Sequence, residues 1–323
     1  MKIKKIAVLT SGGDAQGMNC AIAVLTKLCK ARGIDLYGVV EGYKGLYNND
    51  YVKLDLDKVS NIETLGGTIL KTSRFLEFKQ EEILDKCVQN IKKARFDAVI
   101  VIGGDGSFTG ALTLLKKGVK VLCIPATVDN DLRYTDKCLG FDSAVNNSSS
   151  YISSVQQTMS ALNRGVVFEV MGRYCGDIAL HSACATSCDI IAVPEKPTSE
   201  EEIISKALSV IKNQNRMPTI VVAEKLFDVP TLADRLSAVS GKEFKYSIVG
   251  YLQRGGAPSV ADRTLAMLYA VKVIELIEKG IFNEAVGLNG RKIFSLPIEE
   301  CLSSEYNFDY ELLNLFYSLN SSK

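Results

Sequence analysis

The sequence predicts an α/β protein with two doubly wound α/β domains and mostly parallel central sheets. Three observations support this fold class: several short apolar runs, a Gly-rich or Asp-rich loop at the end of these runs, and helical patterns between them. Continuous apolar runs are typical of strands that are buried on both faces, as in parallel sheets. At 323 residues the chain is also long for a single hydrophobic core.

Six apolar runs predict buried strands. In chain order they are 6–9, 98–102, 119–124, 166–170, 219–223 and 247–252. The runs fall into two groups, which suggests a division of the chain near residue 140. In doubly wound sheets, ligands bind beyond the carboxyl ends of the strands, so the loops that follow these runs form the candidate site.

Two of the predicted helices have clear boundary signals. Ser199, followed three residues later by Glu202, forms a capping-box pattern that predicts a helix through Ile211. Another helix follows Pro258 and stops before Gly280. Its apolar residues are expected on one stripe, which consists of Met267, Ala270, Val271, Ile274 and Ile277.

Composition and charge exclude some classes of function for this chain. Hydrophobic residues make up 47% and charged residues 23% of the chain, as expected of a packed protein. The net charge of +1 predicts neither a nucleic-acid partner nor an anionic membrane surface. No apolar stretch approaches the roughly 20 residues that cross a bilayer. Nine cysteines without a Cys-x-x-Cys pair indicate reduced thiols in a cytoplasmic protein.

Two glycine-rich loops each lie between a predicted strand and a predicted helix. They are Gly12-Gly13-Asp14 and Gly103-Gly104-Asp105-Gly106-Ser107. Glycine lets the backbone approach a phosphate closely, and a helix N-terminus adds N–H donors. One such loop is usually only a tight turn, but two in one α/β chain favour phosphate binding. Neither loop has the pattern of a P-loop or of a dinucleotide-binding loop.

Two carboxylates follow the predicted third strand. Asp129 and Asp131 lie two residues apart, and alone they read equally well as an Asx-turn. The chain has a single histidine, His181, which is expected to be packed or capping within a helix. A kinase with this sequence would therefore need a carboxylate as general base. Asp129 can accept a hydroxyl proton, while Asp131 and Asp105 can help to hold Mg²⁺.

Four arginines lie beside loop signals rather than in charge runs. They are Arg74, Arg164, Arg173 and Arg254. Surface arginines are usually only solvated, so each is a weak signal. Phosphoryl transfer requires cations on the developing charge and on any substrate phosphate, and the planar guanidinium suits both tasks.

Taken together, these loops allow a family to be named. The sequence resembles the ATP-dependent 6-phosphofructokinases of bacterial type over essentially its whole length. The matching blocks are 9–14, 17–19, 42–43, 73–75, 103–107, 127–131, 171–177 and 253–256. The resemblance implies two α/β domains and the transfer of a phosphoryl group from ATP to fructose 6-phosphate.

The resemblance also assigns residues to the nucleotide and to the chemistry. The implied ATP site consists of Gly12, Tyr43, Arg74, Phe75, Gly104, Asp105, Gly106 and Ser107, with Asp105 on Mg²⁺. Asp129 is implied as the base that deprotonates the 1-hydroxyl of the sugar, with Thr127 and Asp131 beside it. Arg74 and Arg173 are expected to stabilise the phosphoryl group in transfer.

For the sugar phosphate, the resemblance points to a second set of residues. Met171, Gly172 and Glu224 are expected to hold the sugar, and Arg254 its 6-phosphate. Arg164 and the position of Lys245 reach across from a neighbouring subunit in this family, which implies a homotetramer. The implied domains are 1–140 with 253–305 for ATP, and 141–252 with 306–323 for the sugar phosphate.

The phosphoryl donor is also suggested by residue size. Pyrophosphate-using relatives usually carry Asp in place of Gly106 and Lys in place of Ala126, and those side chains crowd the region of the α-phosphate. Gly106 and Ala126 leave that region open, which favours ATP.

The sequence departs from the family pattern at three places. Lys245 and Tyr251 stand where the family usually has Arg and His around the 6-phosphate; lysine lacks the bidentate fork, and tyrosine offers one hydroxyl. Gln16 replaces a proline. The effector pocket, usually rich in basic residues, is represented by Ala23, Lys27, Leu56, Gln156, Asn215, Arg216 and Met217. With two cations left, weak allosteric control by ADP or phosphoenolpyruvate is expected.

Three other functions compete with this one. Lys245, Tyr251 and the thinned effector pocket would suit a non-catalytic regulatory subunit of the same fold. A pyrophosphate-dependent enzyme is a second alternative. An NAD or lipid kinase with a Gly-Gly-Asp-Gly loop is a third, and the sugar-site segments 171–173 and 253–256 argue against it.

Overall fold

Eleven strands form two sheets in the computed structural model, which describes residues 3–305 and 308–321 of the chain. The strands are β1 (Lys5–Ser11), β2 (Asp35–Val39), β3 (Tyr51–Lys53), β4 (Ala98–Gly103), β5 (Val121–Pro125), β6 (Gly165–Val170), β7 (Ile190–Ala192), β8 (Thr219–Ala223), β9 (Phe244–Ile248), β10 (Glu284–Asn289) and β11 (Lys292–Pro297).

The helices among the described residues alternate with these strands. They are α1 (Met18–Ala31), α2 (Tyr43–Asn48), α3 (Glu81–Lys93), α4 (Asp105–Lys116), α5 (Phe141–Ala161), α6 (Asp177–Ala185), α7 (Glu200–Gln214), α8 (Val229–Ser240), α9 (Val260–Glu278), α10 (Ile298–Ser303) and α11 (Tyr310–Ser321). Within the described part of the chain, no helix is both long enough and apolar enough to span a membrane.

The described residues divide into two compact units. The first contains the chain through Ser143 and then residues 254–305, and the second contains Ala144–Gln253 and residues 308–321. Each unit has a sheet of its own.

The sheet of the first unit has seven strands in the order β11-β10-β5-β4-β1-β2-β3. Only the pairs at its two edges, β10 with β11 and β2 with β3, are antiparallel. The strands β1, β4 and β5 are almost completely buried, because they lie in the centre of the sheet. This arrangement confirms the predicted α/β fold with a mostly parallel sheet.

The register of this sheet determines which loops are neighbours. Ser11 pairs with Gly103, and Gly103 pairs with Pro125. These three residues are the last residues of β1, β4 and β5, and the strands are parallel. The loops that follow them therefore begin side by side at one edge of the sheet.

The sheet of the second unit has four parallel strands in the order β7-β8-β6-β9. Val170 pairs with Ala223, and Glu169 pairs with Ile248, so the chain leaves β6, β8 and β9 at one common edge. The core of this unit is formed by Val167, Ile203, Ile220, Val222, Leu232 and Phe244 together with their buried neighbours.

The prediction of one strand is wrong in its position. The run 247–252 was expected to be a strand, but β9 ends at Ile248 and a 3₁₀ helix spans Gly250–Arg254. Gly250 adopts a φ of 54°, which turns the chain out of the sheet. β9 lies at the edge of its sheet, where Lys245 and Tyr246 are exposed, so the true strand carries no continuous apolar run.

Both helix predictions with boundary signals are confirmed. The hydroxyl of Ser199 accepts a hydrogen bond from the Glu202 N–H at 3.2 Å, and the Glu202 carboxylate accepts one from the Ser199 N–H at 3.2 Å. α7 continues three residues beyond Ile211. α9 begins directly after Ser259, whose hydroxyl accepts a bond from the Asp262 N–H at 3.1 Å.

The predicted apolar stripe of α9 is only partly buried. Ala270, Ile274 and Ile277 lie in the core, whereas Met267 and Val271 are exposed. Apolar residues lie around most of this helix, so its apolar surface is wider than the face that packs against the sheet and α1.

Candidate active site

Glycines bring the first two loops of the first unit close together. At Gly103, an added Cβ would lie 2.6 Å from the carbonyl oxygen of Ser11 and 2.5 Å from the Ser107 hydroxyl. At Gly12, with a φ of 87°, an added Cβ would lie 3.4 Å from the same hydroxyl. Any larger side chain at Gly103 would force the β1 and β4 ends apart. The two loops therefore form one packed turn surface, from which α4 begins at Asp105.

Asp105 and Gly106 lie on the outer side of this surface. Both are exposed, and an added Cβ at Gly106 would meet no atom within 4 Å. Gly104 lies against Thr127, whose Cβ would be 3.4 Å from an added methyl group. An aspartate at this position, as expected in pyrophosphate-using relatives, would occupy the open space that Gly106 leaves.

Tyr43 lies beneath the second loop rather than on its surface. The phenol is buried, donates a hydrogen bond to the Ser107 carbonyl at 2.6 Å, and stacks on Phe78 with ring centroids 4.3 Å apart. Burial raises the pKa of Tyr43 well above its ordinary value, so the hydroxyl stays a neutral donor. Of the other residues predicted for the nucleotide, Arg74 is exposed and Phe75 is half-buried beside Tyr47.

The third loop holds the predicted general base. Asp129 is 9% exposed, and its N–H donates to the Thr127 hydroxyl at 3.2 Å. Asn130 adopts a φ of 54°; its amide donates to the Asp136 carbonyl at 3.2 Å and accepts from the Cys138 N–H at 2.8 Å. Asn130 thus ties the start of the loop, between Asp129 and the half-buried Asp131, to its end at Asp136 and Cys138.

Sequence reasoning gave Asn130 no role. The residue type itself indicated a left-handed turn at Asn130, because asparagine tolerates this conformation better than most residues do. Gln16, which replaces a proline of the family pattern, is fully buried, and its amide donates to the Gly255 carbonyl at 3.0 Å. That bond holds the segment next to Arg254.

Arg254 lies within the first unit, against the first glycine loop. An added Cβ at Gly13 would lie 2.5 Å from Nη1 of Arg254, and this Nη1 is 4.0 Å from the Asp14 carboxylate. The other residues predicted to hold the sugar belong to the second unit.

In the second unit, the loop after β6 is held in an unusual conformation. Gly172 has a φ of 146°, and an added Cβ there would clash with the carbonyl oxygen of Cys175. Arg173 has a φ of 59°, and its N–H donates to the Glu224 carboxylate at 2.8 Å. The Glu224 N–H in turn donates to the Val170 carbonyl at 2.8 Å. The structure therefore brings the predicted residues Met171, Gly172, Arg173 and Glu224 together.

Gln253 connects this loop to the segment after β9. It is fully buried, its side-chain oxygen accepts bonds from the Met171 N–H at 3.1 Å and the Ser148 hydroxyl at 3.0 Å, and its amide donates to the Gly250 carbonyl at 3.0 Å. From the sequence, Gln253 is only part of the matching block 253–256. Its role as a connector depends on Met171 and Ser148, which lie 82 and 105 positions away.

Acidic side chains lie close together at this edge of the second sheet. Burial, and then the nearby carboxylates of Glu224 and Asp228, raise the pKa of Glu169 on β6 above its ordinary value. At the opposite edge, where β6 and β9 begin, the charges are exposed: Arg164 and Lys245 both contact Glu243. Tyr251, which follows β9, is 81% exposed.

Comparison with known proteins places these features in a family. Residues 5–277 match the family described as phosphofructokinase. The chain is similar to ATP-dependent 6-phosphofructokinase 1 of Clostridium perfringens, with 42% identity over 318 residues that cover 98% of this chain and 100% of that protein. It is also similar to the ATP-dependent 6-phosphofructokinase of Clostridioides difficile, with 41% identity over 309 residues, 96% of this chain and 97% of that protein.

Solved structures show the same fold. A phosphofructokinase structure from Saccharomyces cerevisiae matches with a TM-score of 0.86 and 29% identity, covering 99% of this chain. This chain spans only 46% of that yeast protein. A pyrophosphate-dependent phosphofructokinase from Marinobacter aquaeolei matches with a TM-score of 0.86 over 96% of this chain and 86% of that one. At 19% identity, this second likeness concerns the fold alone.

Proposed function

The chain belongs to the phosphofructokinase family, and on that premise we propose that it is an ATP-dependent 6-phosphofructokinase. It transfers the γ-phosphoryl group of ATP to the 1-hydroxyl of fructose 6-phosphate, which yields fructose 1,6-bisphosphate in glycolysis. The observation that carries the proposal is the placement of a nearly buried carboxylate, Asp129, at the same strand edge as two glycine loops.

The first step is the positioning of the nucleotide phosphates. Gly12, Gly104 and Gly106 carry no Cβ, and α4 begins at Asp105, so backbone N–H groups and the positive end of a helix are available to phosphate oxygens. Arg74 is exposed and directly precedes Phe75, and we propose that it adds a cation to the phosphate site. Tyr43 supports this surface from below through Ser107.

Asp129 is proposed as the general base. The backbone N–H of Asp129 is bonded to Thr127, and Asn130 ties the same loop to Cys138, so the nearly buried carboxylate extends from a fixed backbone, which suits the acceptance of a proton from the sugar 1-hydroxyl. Asp131 and Thr127 lie in the same loop and are proposed to orient the hydroxyl. Arg173 is proposed to stabilise charge on the phosphoryl group in transfer.

The residues fit a magnesium ion that arrives with the nucleotide. Asp105 is an exposed carboxylate at the first position of α4, and among the described residues no group of three or more potential ligands could hold a metal ion by itself. Mg²⁺ usually takes one or two carboxylates together with water and substrate phosphates. When bound, Mg²⁺ neutralises charge on the transferring phosphates.

The sugar phosphate is proposed to use the edge of the second sheet. Met171, Gly172 and Glu224 would hold the sugar, while Arg254, Lys245, Tyr251 and Arg164 would hold its 6-phosphate. The common edge at which β6 and β8 end supports the grouping of Met171, Gly172 and Glu224. Arg164 and Lys245 lie where β6 and β9 begin, at the opposite edge, which suits the proposal that they reach the site of a neighbouring subunit.

A homotetramer with shared active sites is part of this proposal. Large apolar side chains remain exposed on α9, at Met267 and Val271, and on β9, at Tyr246 and Ile248. Such patches are typical of surfaces that associate. Light scattering on a sizing column tests this, and a monomer at assay concentration would contradict it. We expect the protein in the cytoplasm.

We propose that the enzyme responds weakly to ADP and phosphoenolpyruvate. Both cations left at the effector positions already have acidic partners: Lys27 pairs with Glu63, and Arg216 pairs with Asp189, whose side chain is only 2% exposed. Asp189 also accepts a bond from the Thr219 N–H at 2.8 Å, so it is firmly held. Titration of fructose 6-phosphate with and without each effector tests this; a large change in sigmoidicity would refute it.

The function itself is tested with purified protein, fructose 6-phosphate and Mg²⁺ in a coupled assay for fructose 1,6-bisphosphate. ATP and pyrophosphate are supplied in parallel. We expect turnover with ATP and little with pyrophosphate. Turnover with pyrophosphate alone would reverse the donor assignment, and no turnover with either donor would favour a regulatory subunit.

A further inference from the structure

One carboxylate in the second unit holds two cations at once. The Glu243 side chain accepts from Nε of Arg164 at 2.5 Å and from Nζ of Lys245 at 2.8 Å, each through a different oxygen. The side chain of Glu243 is 44% exposed, that of Arg164 33% and that of Lys245 51%. No role was assigned to Glu243 from the sequence, and the cluster of the three residues has a net charge of +1.

The backbone builds this cluster. Arg164 directly precedes β6, Glu243 directly precedes β9, and Gly165 pairs with Phe244 in the parallel ladder between them. The Gly165 N–H donates to the Glu243 carbonyl at 3.0 Å. Lys245 pairs with Val166 in the same ladder. The three side chains are therefore brought together by the sheet register, and not by a mobile loop.

We infer that Glu243 is an internal competitor for the 6-phosphate of the substrate and lowers the affinity of the site for it. The inference rests on the proposed function, in which Arg164 and Lys245 bind that phosphate. A phosphate dianion that approaches the two cations must displace the carboxylate or lie beside a like charge. The exposed ion pairs are individually weak, so the carboxylate yields to substrate, but it reduces the net attraction.

This arrangement sets substrate affinity without touching the chemistry. Neither Glu243 nor its two partners lies in the loops that carry Asp129 or the glycine turns. Removal of the carboxylate charge should therefore change KM for fructose 6-phosphate and leave kcat as it is, the pattern expected when ground-state and transition-state binding change equally.

The test variant is Glu243→Gln, which keeps the shape and removes the charge. We expect KM for fructose 6-phosphate to fall about three- to tenfold at low salt, with kcat unchanged. The gain should shrink as ionic strength rises, because the pairs are exposed and screened. A raised KM would mean that Glu243 aligns the cations instead, and an unchanged KM would mean that it has no effect; either result overturns the inference.

Glu201→Gln is the matched control. Glu201 is an exposed glutamate on α7 that contacts Arg235 of α8 at 3.4 Å in the same unit and contacts neither Arg164 nor Lys245 in a salt bridge, so the Glu201→Gln substitution should leave KM and kcat unchanged. A double-mutant cycle with Lys245→Gln adds a second check. The gain from Glu243→Gln should be smaller in the Lys245→Gln background; an equal gain would show that Glu243 does not act through the cations.

A binding measurement separates this inference from the proposed function. Inorganic phosphate and fructose 6-phosphate are titrated calorimetrically into wild type and Glu243→Gln without ATP. Tighter binding of both ligands to the variant supports the inference whatever the turnover assay shows. Equal binding overturns it even if the enzyme phosphorylates fructose 6-phosphate.

Discussion

The strand-end loops of the first sheet and the charged residues around β9 in the second sheet are held by different kinds of contact. In the first unit, the loops after β1, β4 and β5 are packed: Gly103 leaves no space for a methyl group, Tyr43 holds Ser107 from below, and Asn130 fastens the Asp129 loop. At the second sheet, the loop after β6 is also held firmly, but the cations beside β9 are exposed and paired with Glu243.

This difference indicates which parts of the site can vary. A buried, close-packed loop tolerates few substitutions, because each disturbs neighbours that cannot move. Exposed ion pairs contribute little energy and can be exchanged at small cost. The exposed edge consists of the edge strand β9 and the turn after it, and it carries Lys245 and Tyr251, which depart from the usual family residues. Substitutions in the packed loops should affect catalysis or folding, and substitutions at the exposed edge should affect affinity.

The largest effect is expected from Asp129→Asn. Loss of the proton acceptor should lower kcat by at least about a hundredfold, while ATP binding stays nearly unchanged. Steady-state kinetics and calorimetric ATP binding measure the two quantities. Asp234→Asn, at an exposed position on α8, is the control with normal activity. If Asp129→Asn retains most of its kcat, Asp129 is not the base.

The packing of the first loops is tested by Gly103→Ala. The new methyl group would lie 2.6 Å from the Ser11 carbonyl oxygen, so we expect a loss of about 1–3 kcal/mol in the free energy of unfolding and a higher KM for ATP. Gly106→Ala is the matched stability control, because nothing lies within 4 Å of its new Cβ. Urea denaturation compares the two, and equal stability would contradict tight packing at Gly103.

The support beneath the loop is tested by Tyr43→Phe. The variant leaves the buried Ser107 carbonyl without its 2.6 Å donor, which should cost about 1–2 kcal/mol of stability. Tyr51→Phe is the control, because the Tyr51 hydroxyl makes only 3.4 Å contacts. Thermal unfolding of both variants distinguishes them; a loss as large in Tyr51→Phe would show that the Ser107 bond is not special.

The smallest effect is expected at the exposed edge, from Lys245→Arg. A guanidinium can bind a phosphate with two parallel hydrogen bonds, whereas an ammonium acts as a point charge. KM for fructose 6-phosphate should fall about two- to fivefold with kcat unchanged. A large change in kcat would mean that this edge participates in the chemistry, and the contrast between the two regions would fail.

Local features of the chain were predictable. Five of the six expected strands are confirmed, as are the capping box at Ser199 and the helix that follows Ser259. Each depends on a continuous apolar run or on contacts between residues three or four apart. The strands β2, β3, β7, β10 and β11 were not predicted. β2, β3, β10 and β11 are only partly buried, and β7 is buried but only three residues long.

The sequence by itself determined the α/β class, the positions of the glycine loops and the types of residue available for phosphoryl transfer, because these depend on short-range patterns. Only the tertiary structure decided that Ser11, Gly103 and Pro125 end side by side and that Tyr43 supports the loop from below. It also decided that Glu243 meets Arg164, 79 positions away. Sheet register joins residues that are distant in sequence, and the local pattern around either residue carries no information about that pairing.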